Sequence, residues 1–229
     1  MKIHDILETK QIIEGPNDPH IFKAVFLAGA PASGKSYVAQ KMLSATGLSP
    51  LNSDQAYEFL ALKHNIDLGD PDVVGSDQGQ EVRNRAKEIT KKREEMYLDG
   101  RLGLIIDGTG REIDKVITTK KKLNDLGYDT MMLFVNTSEE VAHSRNQERA
   151  RTLPADMITK MWAHTQNNIM KFQQVFGASK FHIIDNSGGL DDPERQENFT
   201  KVYKEVNRFL SQNPSKRAAK QWLAKHSKT

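Results

Sequence analysis

The stretch "FLAGAPASGKSYVAQ", residues Phe26 to Gln40, decides how the rest of the chain is read. An apolar run enters a turn built from glycine, alanine, proline and serine, and an amphipathic segment then opens on one lysine. Within it, Gly29-Ala30-Pro31-Ala32-Ser33-Gly34-Lys35-Ser36 satisfies G-x-x-x-x-G-K-[ST], the pattern of a phosphate-binding loop. The turn is bare for a physical reason. Successive backbone N–H groups must point inward, and a phosphate must come within hydrogen-bonding distance of the main chain, where Cβ atoms would obstruct it. Gly29, Ala32, Ser33 and Gly34 line such a cradle, and the amino end of the following helix adds N–H groups and a favourable dipole. Lys35 is then placed to reach the β- and γ-phosphates of ATP, and Ser36 to offer its hydroxyl to Mg²⁺.

Outward from this loop, short apolar runs alternate with longer amphipathic ones, the signature of βαβ units around a parallel sheet. Strands are expected at 22–28, 51–53, 102–107, 130–136 and 180–184. Helices are expected at 35–44, 54–64, 77–98, 112–126, 138–151, 154–176 and 193–211. The fold class is α/β. The organisation expected is a single domain over 1–212, with a short extension at 1–20 and a lid region at 138–160, followed by a basic tail at 213–229. In an open parallel sheet the ligand lies beyond the carboxyl ends of the strands, so residues there carry the functional argument.

The second expected strand ends at Asp54 in "LNSDQAYEFL". Beside a phosphate loop, this carboxylate can orient an attacking hydroxyl and take its proton. Asp54 or Ser53 also reads as a helix N-cap; with Ser53 as the cap, Asp54 is left free. The third strand closes in "DGTGR". Asp107 is placed for Mg²⁺ or a bound water, and Thr109 and Arg111 for the acceptor. In "HSRNQERARTLP", Arg145 and Arg149 are four apart and share a face if the helix continues, whereas Arg151 points elsewhere as the chain meets Pro154. Arginines of this kind neutralise charge on a transferring phosphoryl group. After the last strand, the segment from Asp185 to Gly188 is placed to contact a nucleotide base. Trp162, Met157, Met161 and Phe172 read as a core face.

The composition, 37% hydrophobic and 28% charged with no cysteine, suits a globular protein without disulfide or thiolate chemistry and points to a cytoplasmic setting. The longest apolar runs fall far short of the roughly 20 residues that a membrane helix needs. The histidines lack metal-ligand spacing. From Asn213 onward the sequence holds five cations and no acid, a tail that can touch nucleic acid or simply sit in solvent.

Together "FLAGAPASGKS", "NSD", "IIDGTGREID", "LNDLGYDTMM" and the arginine-rich run into "RTLP" resemble the zeta-toxin branch of the P-loop kinases, which extends to phage polynucleotide kinases. The resemblance covers about residues 22–176. It implies a P-loop NTPase fold of the nucleoside and nucleotide kinase kind, a five-stranded parallel sheet of order 2-3-1-4-5 with helices on both faces, and ATP with Mg²⁺. It also implies a hydroxyl-bearing small-molecule acceptor such as UDP-N-acetylglucosamine, and an antitoxin-like protein as a partner. By resemblance Asp54 is the base, Lys35 and Ser36 bind phosphates and metal, Asp107, Thr109 and Arg111 attend the acceptor, and Arg149 and Arg151 act from the lid, with Arg145 able to replace Arg149. A polynucleotide 5′-hydroxyl kinase, a nucleoside monophosphate kinase and a nucleotide-dependent switch are the alternatives.

Overall fold

A computed structural model describes residue 18, residues 20–149 and residues 152–226. Five parallel strands form one sheet: β1 (Lys23–Ala28), β2 (Ser49–Leu51), β3 (Leu104–Asp107), β4 (Asp129–Asn136) and β5 (Phe181–Asp185). Their order across the sheet is β2-β3-β1-β4-β5, with β1 at the centre. Its register sets Leu27 beside both Asp107 and Leu133, so the ends of three strands open onto one edge.

The side-chain period of two divides the core. Ala24, Phe26, Ala28, Leu104, Met132 and Phe134 face one side, where they pack on Leu123, Phe172 and Phe176. Val25, Leu27, Ile105, Met131, Leu133 and Val135 face the other, against Val38, Met42, Val206 and Phe209. Both faces are covered, so β1 is buried along its whole length and, after Lys23, reads as a continuous apolar run. Helices α1 (Lys35–Leu43) and α9 (Pro193–Ser211) supply the second layer, and α5 (Ile113–Leu126) and α8 (Ile169–Phe176) the first.

Between β2 and β3 the chain builds α2 (Ser53–Lys63), α3 (Pro71–Gly75) and α4 (Asp77–Asp99). Ala56, Tyr57, Leu60, Ala61, Val82 and Ala86 give this helical unit a small core of its own. Helix α3 is absent from the sequence expectation. Asp70 caps it by accepting from Asp72 N–H at 2.9 Å, and Pro71 stands in its first turn, where the missing N–H is harmless.

Other differences have local causes. The expected helix over 154–176 is two, α7 (Ala155–Gln166) and α8, broken at Asn167 and Asn168. Buried Asn168 donates its amide to Gly110 O and Arg111 O, both at 3.0 Å, which ties this break to another loop. Of the expected core face, Phe172 is fully buried but Met157 is exposed, and Trp162 donates Nε1–H to Thr137 O at 2.8 Å. The second strand begins earlier than expected, at Ser49, and stops before Asn52, which is a helix cap.

Helix α10 (Arg217–His226) lies within the basic tail. Ser215 bonds Asp129 through N–H at 3.0 Å and Oγ at 2.5 Å, Ala219 is fully buried, and Trp222 packs edge-on against Phe22 at 5.6 Å. Asp129 and Phe22 belong to the amino ends of the strands, so α10 docks on the edge opposite the phosphate loop. Among the described residues no helix is long and apolar enough to cross a membrane.

Candidate phosphate-transfer site

The loop after β1 has the conformation its composition foretells. Gly34 sits at φ +89° and starts α1 with no side-chain cap, leaving the helix N–H groups to another acceptor. A Cβ on Gly34 would collide with Asn186 Nδ2, and one on Gly29 with Val135 O. Ala32 also adopts a left-handed conformation, φ +60°, which costs a non-glycine residue about 1–2 kcal/mol and is held by its surroundings. Ser33 is fully buried, and its hydroxyl has no partner among the described residues.

Lys35 folds back on this loop, donating from Nζ to Gly29 O at 2.8 Å and Ala30 O at 3.1 Å. Burial pushes its ammonium down from 10.5 to about 8. The Asp107 carboxylate opposes that shift, Arg149 adds to it, and Asp54 opposes it more weakly. Asp107, Arg149 and Asp54 therefore each lie within reach of the Lys35 charge, and Asp54 within reach of Asp107, although they come from β3, the turn after α6 (Glu139–Gln147), and α2.

Asp107 ends β3. Burial raises its carboxyl above the usual 3.8, while Lys35 and a hydrogen bond from Asn52 hold it down. Asn52 Nδ2 donates to Asp107 Oδ2 at 2.8 Å, whereas Oδ1 is buried without a partner among the described residues. Asn52 also caps α2 by accepting from Asp54 N–H at 2.7 Å. The cap is thus Asn52 and not Ser53, and the Asp54 side chain stays exposed at the helix start. An unsatisfied carboxylate oxygen beside Lys35, with the exposed Ser36 hydroxyl in the first turn of α1, is a donor set that fits a hard divalent cation such as Mg²⁺.

The "DGTGR" loop packs close. Gly108 N–H donates to Leu27 O at 3.0 Å, Gly29 N–H donates to Thr109 O at 3.4 Å, and Gly110 takes φ +69°, where a Cβ would stand only 3.0 Å from Ala28 and 3.2 Å from Phe172. Thr109 and Arg111 are exposed at the rim, and the Arg111 guanidinium is 3.6 Å from Glu112.

In the lid region, α6 stops at Gln147, so Arg145 and Arg149 do not share a helical face. Buried Asn146 clasps Leu153 through both N–H and C=O, at 3.0 and 2.8 Å, and this closes the loop that carries Arg149. Arg145 reaches the phosphate loop: one of its guanidinium nitrogens, Nη1, lies 3.8 Å from where a Cβ on Gly34 would stand, buried and unpartnered among the described residues. Burial and the charge of Arg195 lower its pKa. Arg151 lies outside the described residues.

Sequence reasoning missed Asn52, Asn146 and Asn168, and it gave Asn186 a base contact rather than its bond to the phosphate loop. Only Asn52 had a local signal, its position just ahead of an amphipathic helix. Asn168 and Asn186 act through backbone groups far away in the chain, which no spacing reveals, and Asn146 through Leu153, seven positions on, across a stretch whose spacing reads as helix. Asn186, in the segment expected to contact a base, donates Nδ2–H to Ser33 O at 2.7 Å.

Sheet order, phosphate loop and strand-end acids define a P-loop protein with a kinase-like fold. Residues 25–178 match the model of an AAA domain, AAA_33, and the chain belongs to that family. No curated protein matches it by sequence. The fold is similar to a structure of the PezAT toxin–antitoxin system of Streptococcus pneumoniae, with TM-score 0.54 and 16% identity over 86% of this chain and 89% of that one. It is also similar to AvrRxo1-ORF1:-ORF2 with ATP, with TM-score 0.53 and 14% identity over 90% and 80%. A chain of the Pnkp1/Rnl/Hen1 RNA repair complex gives TM-score 0.51 and 22% identity over 68% and 48%.

Proposed function

We propose that this chain is an ATP-dependent kinase that transfers the γ-phosphoryl group to a hydroxyl, with a nucleotide sugar such as UDP-N-acetylglucosamine as the first acceptor to test. The observation that carries the reading is the convergence of Lys35, Asp107, Asp54 and Arg149 at the strand ends beside a loop shaped for phosphate. Loop amides and the amino end of α1 take the phosphate oxygens, and Lys35 exchanges two backbone carbonyls for them. Ser36 and Asp107 would hold Mg²⁺, which when bound neutralises charge on the phosphates. Asp54 orients the acceptor hydroxyl. As the oxygen–phosphorus bond forms, the bond to the β-phosphate oxygen breaks, its electron pair leaves on ADP, and the hydroxyl proton passes to Asp54. Arg149, with Arg145 beside Gly34, neutralises the moving phosphoryl group; Arg151 shares this role by resemblance. Thr109 and Arg111 contact the acceptor. The reaction has a loose transition state, so positioning and charge carry most of the catalysis.

Basic helix α10 docks at the far edge of the sheet, which supports a small acceptor over a polynucleotide held by the tail. The test is transfer of γ-label from Mg-ATP to UDP-N-acetylglucosamine, a 5′-hydroxyl oligonucleotide and a nucleoside monophosphate mixture. Asp54→Asn should lower transfer by about 10²–10⁴-fold while ATP still binds. Label on the oligonucleotide alone would replace the acceptor assignment, and a fully active Asp54→Asn protein would remove Asp54 from the mechanism.

A further inference from the structure

Behind the phosphate loop sits a buried cation whose guanidinium has no carboxylate paired to it among the described residues; Asp192, the cap of its helix, accepts instead from the Arg195 backbone N–H at 3.4 Å. Arg195 is 7% exposed and lies in the first turn of α9, where the helix dipole opposes a positive charge. Among the described residues no carboxylate comes within ion-pair distance of it. Its guanidinium lies 5.2 Å from the ring centre of Tyr37 on α1 and 4.7 Å from that of Phe199. Nε and Nη2 both donate to Asn186 Oδ1, at 3.0 and 2.8 Å, and Nη1 donates to Gly189 O at 3.4 Å. A buried charge without a counter-ion is expensive, so its retention calls for a reason.

We propose that Arg195 is a positioning residue for the phosphate loop, acting through Asn186, and that bound polyphosphate supplies its missing counter-charge. This rests on the nucleotide-binding reading above. The relay runs from guanidinium to Asn186 Oδ1, and from Asn186 Nδ2–H to Ser33 O. In a trans peptide the C=O and the following N–H point in opposite directions. Holding Ser33 O toward Asn186 therefore aims the Gly34 N–H away from it, to the side where phosphate must lie. The two linked hydrogen bonds also polarise this peptide and strengthen the Gly34 donor. Gly34 is needed partly because Asn186 occupies the space of a Cβ. Arg145, whose own charge feels Arg195, brings a second guanidinium to the same loop. The segment after β5 thus controls the shape of the phosphate cradle from behind.

The decisive variant is Asn186→Asp. It keeps the side chain's shape, gives Arg195 a carboxylate, and replaces the donor to Ser33 O with a repelling oxygen. Binding of ATP and of inorganic tripolyphosphate is measured on the full chain beside the thermal midpoint. The expected result is a midpoint equal to or above wild type, with both ligands bound at least tenfold more weakly. A purely structural role predicts affinity within twofold of wild type, and that result overturns the proposal. Should Asn186→Asp fail to fold, Arg195→Lys decides: it keeps the charge but loses the fork on Asn186, so a threefold or greater loss for tripolyphosphate supports the relay and unchanged binding overturns it. A wild-type protein that binds neither ligand refutes the nucleotide reading and this inference with it, whereas normal wild-type binding with unaffected variants refutes the relay alone.

Discussion

Replacing Lys35 with methionine should alter how stability responds to pH in a way that reports the site's electrostatics directly. The ammonium titrates at about 8 in the folded protein and at 10.5 in the unfolded chain. The unfolded state therefore binds more protons between those values. Because the folded pKa is depressed, this group's contribution to stability is present above pH 10.5 and is lost as pH falls through 8. At 1.36 kcal/mol per pKa unit, the wild type should gain about 2.5 kcal/mol of stability relative to Lys35→Met between pH 7 and pH 10. Other lysines titrate in both proteins and cancel. Urea unfolding at both pH values gives the difference, which near neutrality corresponds to about 2–4 °C in thermal midpoint for each kcal/mol. A difference between the two proteins that stays constant within about 0.5 kcal/mol would refute a desolvated, charge-depressed Lys35. The same pKa gives a second readout. At pH 8 about half the lysine is deprotonated, so binding a triphosphate should take up about half a proton, measurable by calorimetry in buffers of different ionisation enthalpy and abolished in Lys35→Met.

Asn52→Ala removes both the cap of α2 and the donor to Asp107. We expect a loss of about 2 kcal/mol, and the acid limb of kcat/KM should move to higher pH because the hydrogen bond that restrains the raised Asp107 carboxyl is gone. An unmoved limb would separate Asp107 from the reaction. Asn168→Ala leaves Gly110 O and Arg111 O without their shared donor. It should cost about 2 kcal/mol and raise KM for the acceptor with little change for ATP; equal changes in both would assign the Gly110–Arg111 loop a general structural role.

Much of the fold was legible because its causes are local. Continuous apolar runs marked β1 and β4 as strands covered on both faces, and a bare turn before Lys35 located the phosphate loop at the end of β1. The match to a known sheet order came from the motifs and agrees with the observed topology. Local signals misled where a longer-range bond dominates. Residues 154–176 have unbroken helical periodicity, yet Asn168 is recruited by Gly110 and Arg111, and the helix divides there. The arginine run has helical spacing up to Arg149, but Asn146 clasps Leu153 and the helix ends at Gln147.

By itself, the sequence determined which residues the proposed chemistry rests on: a lysine and serine after a side-chain-poor turn, and acids closing apolar strands. It could do so because a backbone cradle and a strand end depend on residue types only a few positions apart. Tertiary structure alone decided which groups meet. It made Asn52 the shared partner of Asp107 and α2, set Asn186 behind Ser33, buried Arg195 against two rings, and placed basic helix α10 on the opposite edge. Those contacts join residues separated by up to 153 positions, and their energy comes from hydrogen bonds and desolvation that exist only once the sheet has assembled.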